Sequence, residues 1–187
     1  MNYLKVFFIS ISGFILIIIV NTNLVKRDFS KKTEIALEDY SMLPDDIKVT
    51  DKVILGRGDD RYRPGAISLI CTNKNNILLI VQDYKPTRHG KAAGIGKAFF
   101  SGHNSTTSKA TSFKHKKTAI SNMTYLYRGY FDVYVSDPLS QQEITSILEI
   151  LRIENLTHIG IVAFDGGASF TSELNFLEVE KLTNNCQ

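Results

Sequence analysis

Asp165-Gly166-Gly167-Ala168-Ser169 is the segment of this 187-residue chain best equipped for chemistry. Two consecutive glycines permit positive φ and close approach of a ligand to the backbone, and consecutive amides can form an anion-binding nest. Asp165 can act there as proton carrier, nucleophile or metal ligand. The competing reading is a tight turn whose Asp caps its own backbone, because Asp-Gly is a common turn signal. His103 is a second candidate, since an imidazole titrates near pH 6.5, although a lone loop histidine also occurs simply as a solvated group. The glycines between Gly90 and Lys97 carry no nucleotide motif. They hold one residue too many for a phosphate-binding loop, Ala98 stands where a magnesium-binding hydroxyl belongs, and Phe99 replaces the third glycine of a dinucleotide fingerprint. No clustered ligand set accompanies Asp165, so no cofactor is expected beyond an optional divalent metal.

Charge distribution gives these residues a context. The net +3 lies in Lys5, Lys26 and Arg27, and the rest of the chain holds 19 basic and 19 acidic side chains. That neutral remainder is polarised: 28–83 carries 8 basic and 10 acidic residues, 84–131 carries 9 basic and none acidic, and 132–187 carries 2 basic and 9 acidic. Either the basic centre neutralises its acidic neighbours, or it forms an anion-binding surface for phosphate or nucleic acid. Cys71 and Cys186 lack a C-x-x-C partner, which excludes a disulfide scaffold and a cysteine-based zinc module.

The elements that must position these groups follow from periodicity. Lys52 to Leu55 and Ala66 to Cys71 read as short strands, and Asn75-Asn76 turns the chain into the β-rich run Ile77 to Val81, a hairpin. Tyr84 to Lys117 reads as a long irregular segment around the apolar island Ala98-Phe99-Phe100. Tyr130 to Val135 reads as a strand. A helix to about Ile153 follows, opened by Asp137-Pro138 or by a Ser140/Glu143 capping box, with Ile144, Ile147, Leu148 and Leu151 as its apolar stripe. Ile159 to Phe164 reads as a strand buried on both faces and Leu174 to Val179 as a last strand. The expected fold is α/β (or α+β): a mixed sheet with a strand-helix-strand crossover unit, its strands parallel, near the C-terminus, preceded by one N-terminal membrane helix.

Val6 to Val20 is an uncharged apolar run reaching about 22 Å as a helix, and extension to Val25 brings it to the bilayer's hydrocarbon thickness. No small-x-small cleavage site follows. Residues 1–27 thus read as a membrane anchor or signal segment, 28–51 as a polar stalk with a short helix at Lys32 to Tyr40, and 52–187 as the folded domain. Lys26, Arg27, Lys31 and Lys32 favour a cytoplasmic body by the positive-inside rule, whereas the short N-terminal head is that of an export signal. The expectation is an extracytoplasmic body on a single-pass anchor, secreted if the segment is cleaved.

Lys117-Thr118-Ala119-Ile120, a strand ending near Val135, an amphipathic helix, and Ile161-Val162-Ala163-Phe164-Asp165-Gly166-Gly167-Ala168-Ser169 occur in an order that resembles the C-terminal half of the phosphodiester glycosidase family, over Lys114 to Thr171. Lys117 stands where that family has arginine, Ser121 and Ala168 where it has glycine, and Phe164 where it has leucine. Its upstream Asn-Gly-Gly-Phe-Phe motif is echoed only loosely by Ala98-Phe99-Phe100-Ser101-Gly102.

The resemblance implies a hydrolase acting on a sugar 1-phosphodiester. Asp165 would be the catalytic residue, and Lys117, Thr118, Gly166, Gly167, Ser169 and His103 would bind substrate, with the Lys117 ammonium as a point charge for phosphate. Lys114, His115 and Lys116 would add to the field. Such chemistry calls for a second carboxylate, for which Asp83, Asp132 and Asp137 are candidates. The alternative is a catalytically inactive envelope module that binds glycan or anionic polymer. Nucleic-acid binding through Tyr84, Phe99, Phe100, Phe113, Tyr125, Tyr127 and Tyr130 ranks below both. The expected partners are the membrane, through the N-terminal helix, and a sugar-phosphate or glycan ligand, not nucleic acid.

Overall fold

A computed structural model of the chain describes residues 40–41, 43–58, 65–84, 95–105, 113–128, 131–153, 155–163, 166–174 and 176–186. The apolar N-terminal run and the short helix expected at Lys32 to Tyr40 lie outside them, apart from Tyr40. Among the described residues no helix is long and apolar enough to cross a membrane. The chain divides into two units, Met1–Glu38 and Asp39–Gln187, and the description below concerns the second.

Eight described strands form this unit: β1 (Val49–Arg57), β2 (Gly65–Thr72), β3 (Ile77–Tyr84), β4 (Ile95–Ser105), β5 (Phe113–Arg128), β6 (Phe131–Ser136), β7 (His158–Ala163) and β8 (Gly166–Ser172). They close a barrel in the order β1-β2-β3-β6-β5-β4-β7-β8. Every neighbouring pair is antiparallel. β5 makes the closure possible because its first part pairs with β4 and its last part with β6, the stagger that a barrel requires.

This architecture overturns the α/β expectation. Strand, helix and strand are present at the expected places, with helix α1 (Gln141–Leu151) between β6 and β7. However, β5 and β4 stand between those strands in the barrel, so three antiparallel steps leave β6 and β7 running in opposite directions. The pattern of elements did not report which strands pair. Two local expectations change with it. The segment read as irregular contains β4 and the start of β5, and the last element, read as a strand, is helix α2 (Phe176–Asn185).

Alternation along each strand sorts side chains into an inner and an outer face. Leu55, Leu69, Leu79, Phe100, Met123, Ile159 and Phe170 belong to one core, to which α1 adds Ile144, Ile147 and Ile150 and α2 adds Val179 and Leu182. On the outer face of β2, β3 and β6, Ile70, Leu78, Ile80, Val133 and Val135 form a second cluster covered by Leu43, with Tyr40 and Ile47 packed beside it. That cover explains why β2 is buried along its whole length. β7 is different: Ile159 and Ile161 are buried, while Val162 is 53% exposed, so the expected two-sided burial of this strand does not hold.

Local chemistry fixes the ends of the elements. Ser140 caps α1 and forms the reciprocal capping box with Glu143. Asp137 is not the cap; its N–H donates to Asn122 O at 2.9 Å. Asn75, with φ 55°, occupies the left-handed position of the β2–β3 turn, where its short polar side chain is tolerated. Gly102 on β4 lets α1 approach, since a Cβ there would lie 2.5 Å from Ile150 Cγ2. Cys71 on β2 and Cys186 after α2 form a disulfide spanning 115 residues, one staple that ties the C-terminal helix to the barrel wall.

Candidate functional site

Strand register brings several of the expected residues onto one surface. Lys117 on β5 lies opposite Ser101 on β4, Ser101 opposite Gly160 on β7, and Gly160 opposite Ser169 on β8. Directly opposed residues share a face, so this row crosses the outer side of β5-β4-β7-β8. Ser101 is buried within it and donates to Gly160 O at 3.3 Å. Gly160 leaves room for that hydroxyl, because a Cβ there would stand 3.1 Å from Ser101 Oγ. With strands about 4.8 Å apart, Lys117 and Ser169 are roughly 14 Å from each other, a span suited to an extended ligand.

Beside this row runs an exposed apolar one. Phe99 on β4 lies opposite Val162 on β7, and Val162 opposite Gly167 on β8. Phe99 is 41% exposed and Val162 53%, and the Lys117 ammonium sits 5.2 Å from the Phe99 ring centroid. A ring face and an isopropyl group thus form a small platform with a cation at its edge, held by the ring's negative face. His103 lies one step further along β4, half-buried, with its Nε2 3.4 Å from Ser101 Oγ.

Other expected site residues fall elsewhere. Thr118 is opposite Phe100, hence on the inner face, and lines a cavity of about 390 Å³ with Ser140, Glu143 and Ser146. Lys116 pairs with Glu149 on α1 at 2.8 Å and does not strengthen the field at Lys117. That ammonium holds the Glu149 carboxyl below its ordinary 4.5 through a hydrogen bond and charge attraction. Gly166 pairs with Ala163 and Gly167 with Val162, so β7 and β8 are a hairpin joined by residues 164–165. Asp165 itself lies outside the described residues. Because β7 has only antiparallel neighbours, the crevice at the carboxyl ends of parallel strands, which motivated a site there, is not part of this barrel.

The candidate second carboxylates separate into two groups. Asp83 on β3 and Asp132 on β6 are directly opposed, each 1% exposed. Tyr125 donates to Asp132 Oδ1 at 2.8 Å and packs on Tyr134, with ring centroids 5.4 Å apart. This inner-face cluster is on the other side of the wall from Lys117. Asp137 is exposed, at the rim of a cavity of about 480 Å³ floored by Leu78, Leu126 and Val135. The aromatic series proposed to stack on bases is also divided, since Phe100 and Tyr125 are buried.

Ser101, Val162 and His158 are the site residues that sequence reasoning missed. The signal for Ser101 was the two-residue alternation of Phe99, Ser101 and His103, inside a segment read as irregular for its glycines, serines and lysines, whereas Val162 and His158 reach this face only through the β4–β7 register. Among the described residues no group of His, Cys, Asp and Glu side chains forms a ready metal cage. No protein-family model matches the chain, and no curated protein or solved structure matches it.

Proposed function

We propose that this protein is an extracytoplasmic binding module for an anionic glycan, tethered through its N-terminal apolar segment, with its site on the outer face of β5-β4-β7-β8. The observation that carries this reading is the Lys117 ammonium over the exposed Phe99 ring, next to Val162. The C–H face of a pyranose is apolar and packs on such a platform, while a phosphate, sulfate or carboxylate substituent reaches the ammonium. Ser169, exposed on β8, supplies a hydroxyl across the ligand's path. The Cys71–Cys186 disulfide supports the extracytoplasmic side of the orientation conflict, because cytosolic thiols are normally kept reduced.

The test is equilibrium binding of the full-length chain to a charged polysaccharide and to its neutral counterpart, at low and high salt. Tighter binding of the charged form, weakened by salt and by Lys117→Ala or Phe99→Ala, is expected. Equal binding of the two glycans, or affinity indifferent to both substitutions, contradicts the reading.

Hydrolysis of a sugar 1-phosphodiester remains a second reading, favoured by one observation. The connection carrying Asp165 is flanked by the pair Ala163 and Gly166, next to Val162 and Gly167 beside the platform. Asp83 and Asp132 do not serve this reading, since at 1% exposure a sugar ring cannot reach them. Release of sugar by the wild-type chain and its loss in Asp165→Asn is the expected result; no release, or equal release, removes the hydrolytic step.

A further inference from the structure

A concavity of different chemistry lies on another part of the outer wall. It has a volume of about 480 Å³ and is floored by Leu78 on β3, Leu126 on β5 and Val135 on β6, with Leu43 and Ile47 at its side. The floor is one face of the sheet, since Leu126 is opposite Val133, Thr124 opposite Val135, and Val135 opposite Ile80. The side wall is hydrogen-bonded in place: Ile47 N–H donates to Pro44 O at 2.8 Å, Asn73 N–H to Lys48 O at 2.8 Å, and Asn73 Nδ2 to Asp46 O at 3.2 Å. Asp46 is also ion-paired with Lys74. The cavity is thus built by the fold itself, and its volume falls within the roughly 300–1,000 Å³ of small-molecule sites.

Its rim carries one sign of charge. Asp45 and Asp137 both line it and are exposed, and neither carboxylate is ion-paired or hydrogen-bonded among the described residues. No lining residue is basic, and Lys74, beside the β2–β3 turn, is already engaged by Asp46. An apolar group laid on the floor leaves its head at this open rim. An ammonium there keeps its water while facing the two carboxylates, so no charge is buried, whereas an anionic head meets like charge. No lining residue is aromatic either. A quaternary ammonium finds no ring to cover it, while an amine with N–H donors can form charge-assisted hydrogen bonds to a carboxylate.

We propose that this cavity binds a small amphipathic amine, its hydrocarbon part on Leu78, Leu126 and Val135 and its ammonium at Asp45 and Asp137. The carboxylates select against an apolar anion of the same shape, such as a fatty acid. The floor selects against a polyamine, whose chain carries a charge every few carbons. The cavity shares no residue with the glycan platform, so neither reading depends on the other.

Octylamine, 1-octanol and octanoate share one chain and differ in the charge of the head. Each is titrated at pH 7 into the isotope-labelled full-length chain and followed by amide chemical shifts. Octylamine should move the amides of Leu78, Leu126 and Val135 to saturation and bind more tightly than 1-octanol, with octanoate weakest. Asp45→Asn and Asp137→Asn should each weaken octylamine about two- to fivefold, the range of an exposed ion pair, and leave 1-octanol unchanged. Leu126→Trp fills the cavity from a half-buried position and should abolish binding of all three. Both Asn variants alter exposed side chains, so they test the rim without threatening the fold. Shifts spread over the surface without saturation, octanoate binding as tightly as octylamine, or an octylamine affinity unchanged in either Asn variant overturns the site. As no glycan is present, that failure leaves the glycan reading standing.

Discussion

The Lys117 ammonium lies 5.2 Å from the centroid of the Phe99 ring, across the β5–β4 pairing and on the open side of the barrel wall. A cation over an exposed ring gains only about 0.5–1 kcal/mol. Its contribution to the fold is therefore small. Lys117→Ala should change folding stability by less than about 1 kcal/mol in chemical denaturation. A larger loss would mean that the side chain supports the wall.

Gly102 is a position where the packing of α1 on β4 depends on a missing side chain. An added Cβ would lie 2.5 Å from Ile150 Cγ2 and 3.0 Å from Leu156 Cδ1, both in the packing between α1 and β4. Gly102→Ala should destabilise by about 1–3 kcal/mol through overpacking, read from the midpoint of urea unfolding. An unchanged midpoint would show that α1 shifts without cost.

The Cys71–Cys186 disulfide closes a separation of 115 residues and holds α2 against β2. Cys186→Ser should cost about 2–4 kcal/mol. Reductant should bring the wild-type chain to the same unfolding midpoint and leave the variant unaffected. If reductant has no effect on the wild type, the two thiols are not bridged in solution.

Lys74 forms an ion pair with Asp46 beside the β2–β3 turn, and its hydrogen bond and charge hold the Asp46 carboxyl below its ordinary 3.8. Lys116 does the same for Glu149. A depressed carboxyl stabilises the fold above its unfolded pKa, and that contribution disappears as pH falls through the folded value. Both pairs are exposed, so the effect on stability is small and salt-sensitive. Carboxyl-detected NMR titration should show Asp46 returning toward 3.8 in Lys74→Ala, with Glu149 unmoved.

Local features of the fold were legible and its connectivity was not. The Ser140/Glu143 box, the apolar stripe of α1, the Asn75 turn and the strands β3 and β6 all follow from spacing, because each depends on residues within one turn or one pleat. Strand partners depend on contacts far apart in sequence. Nothing in the run from Tyr130 to Phe164 reveals that β4 and β5 separate β6 from β7. The polar strands β4 and β5 were hidden for a related reason. Their outer face is solvated, so Ser, Lys and His alternate with Ala98, Phe100 and Ile120 and dilute the apolar signal. The site was half legible: Lys117, His103 and Ser169 do share a face, but their neighbours Ser101, Val162 and His158 emerge only from register.

The glycan platform is defined by where a ligand binds, and amide chemical-shift mapping on the isotope-labelled full-length chain addresses that directly. Titration with an anionic polysaccharide should move the amides of Phe99, Ser101, Lys117, Val162 and Ser169 together, with one affinity. Shifts confined to the cavity around Leu78, Leu126 and Val135, or no shifts at all, would contradict it.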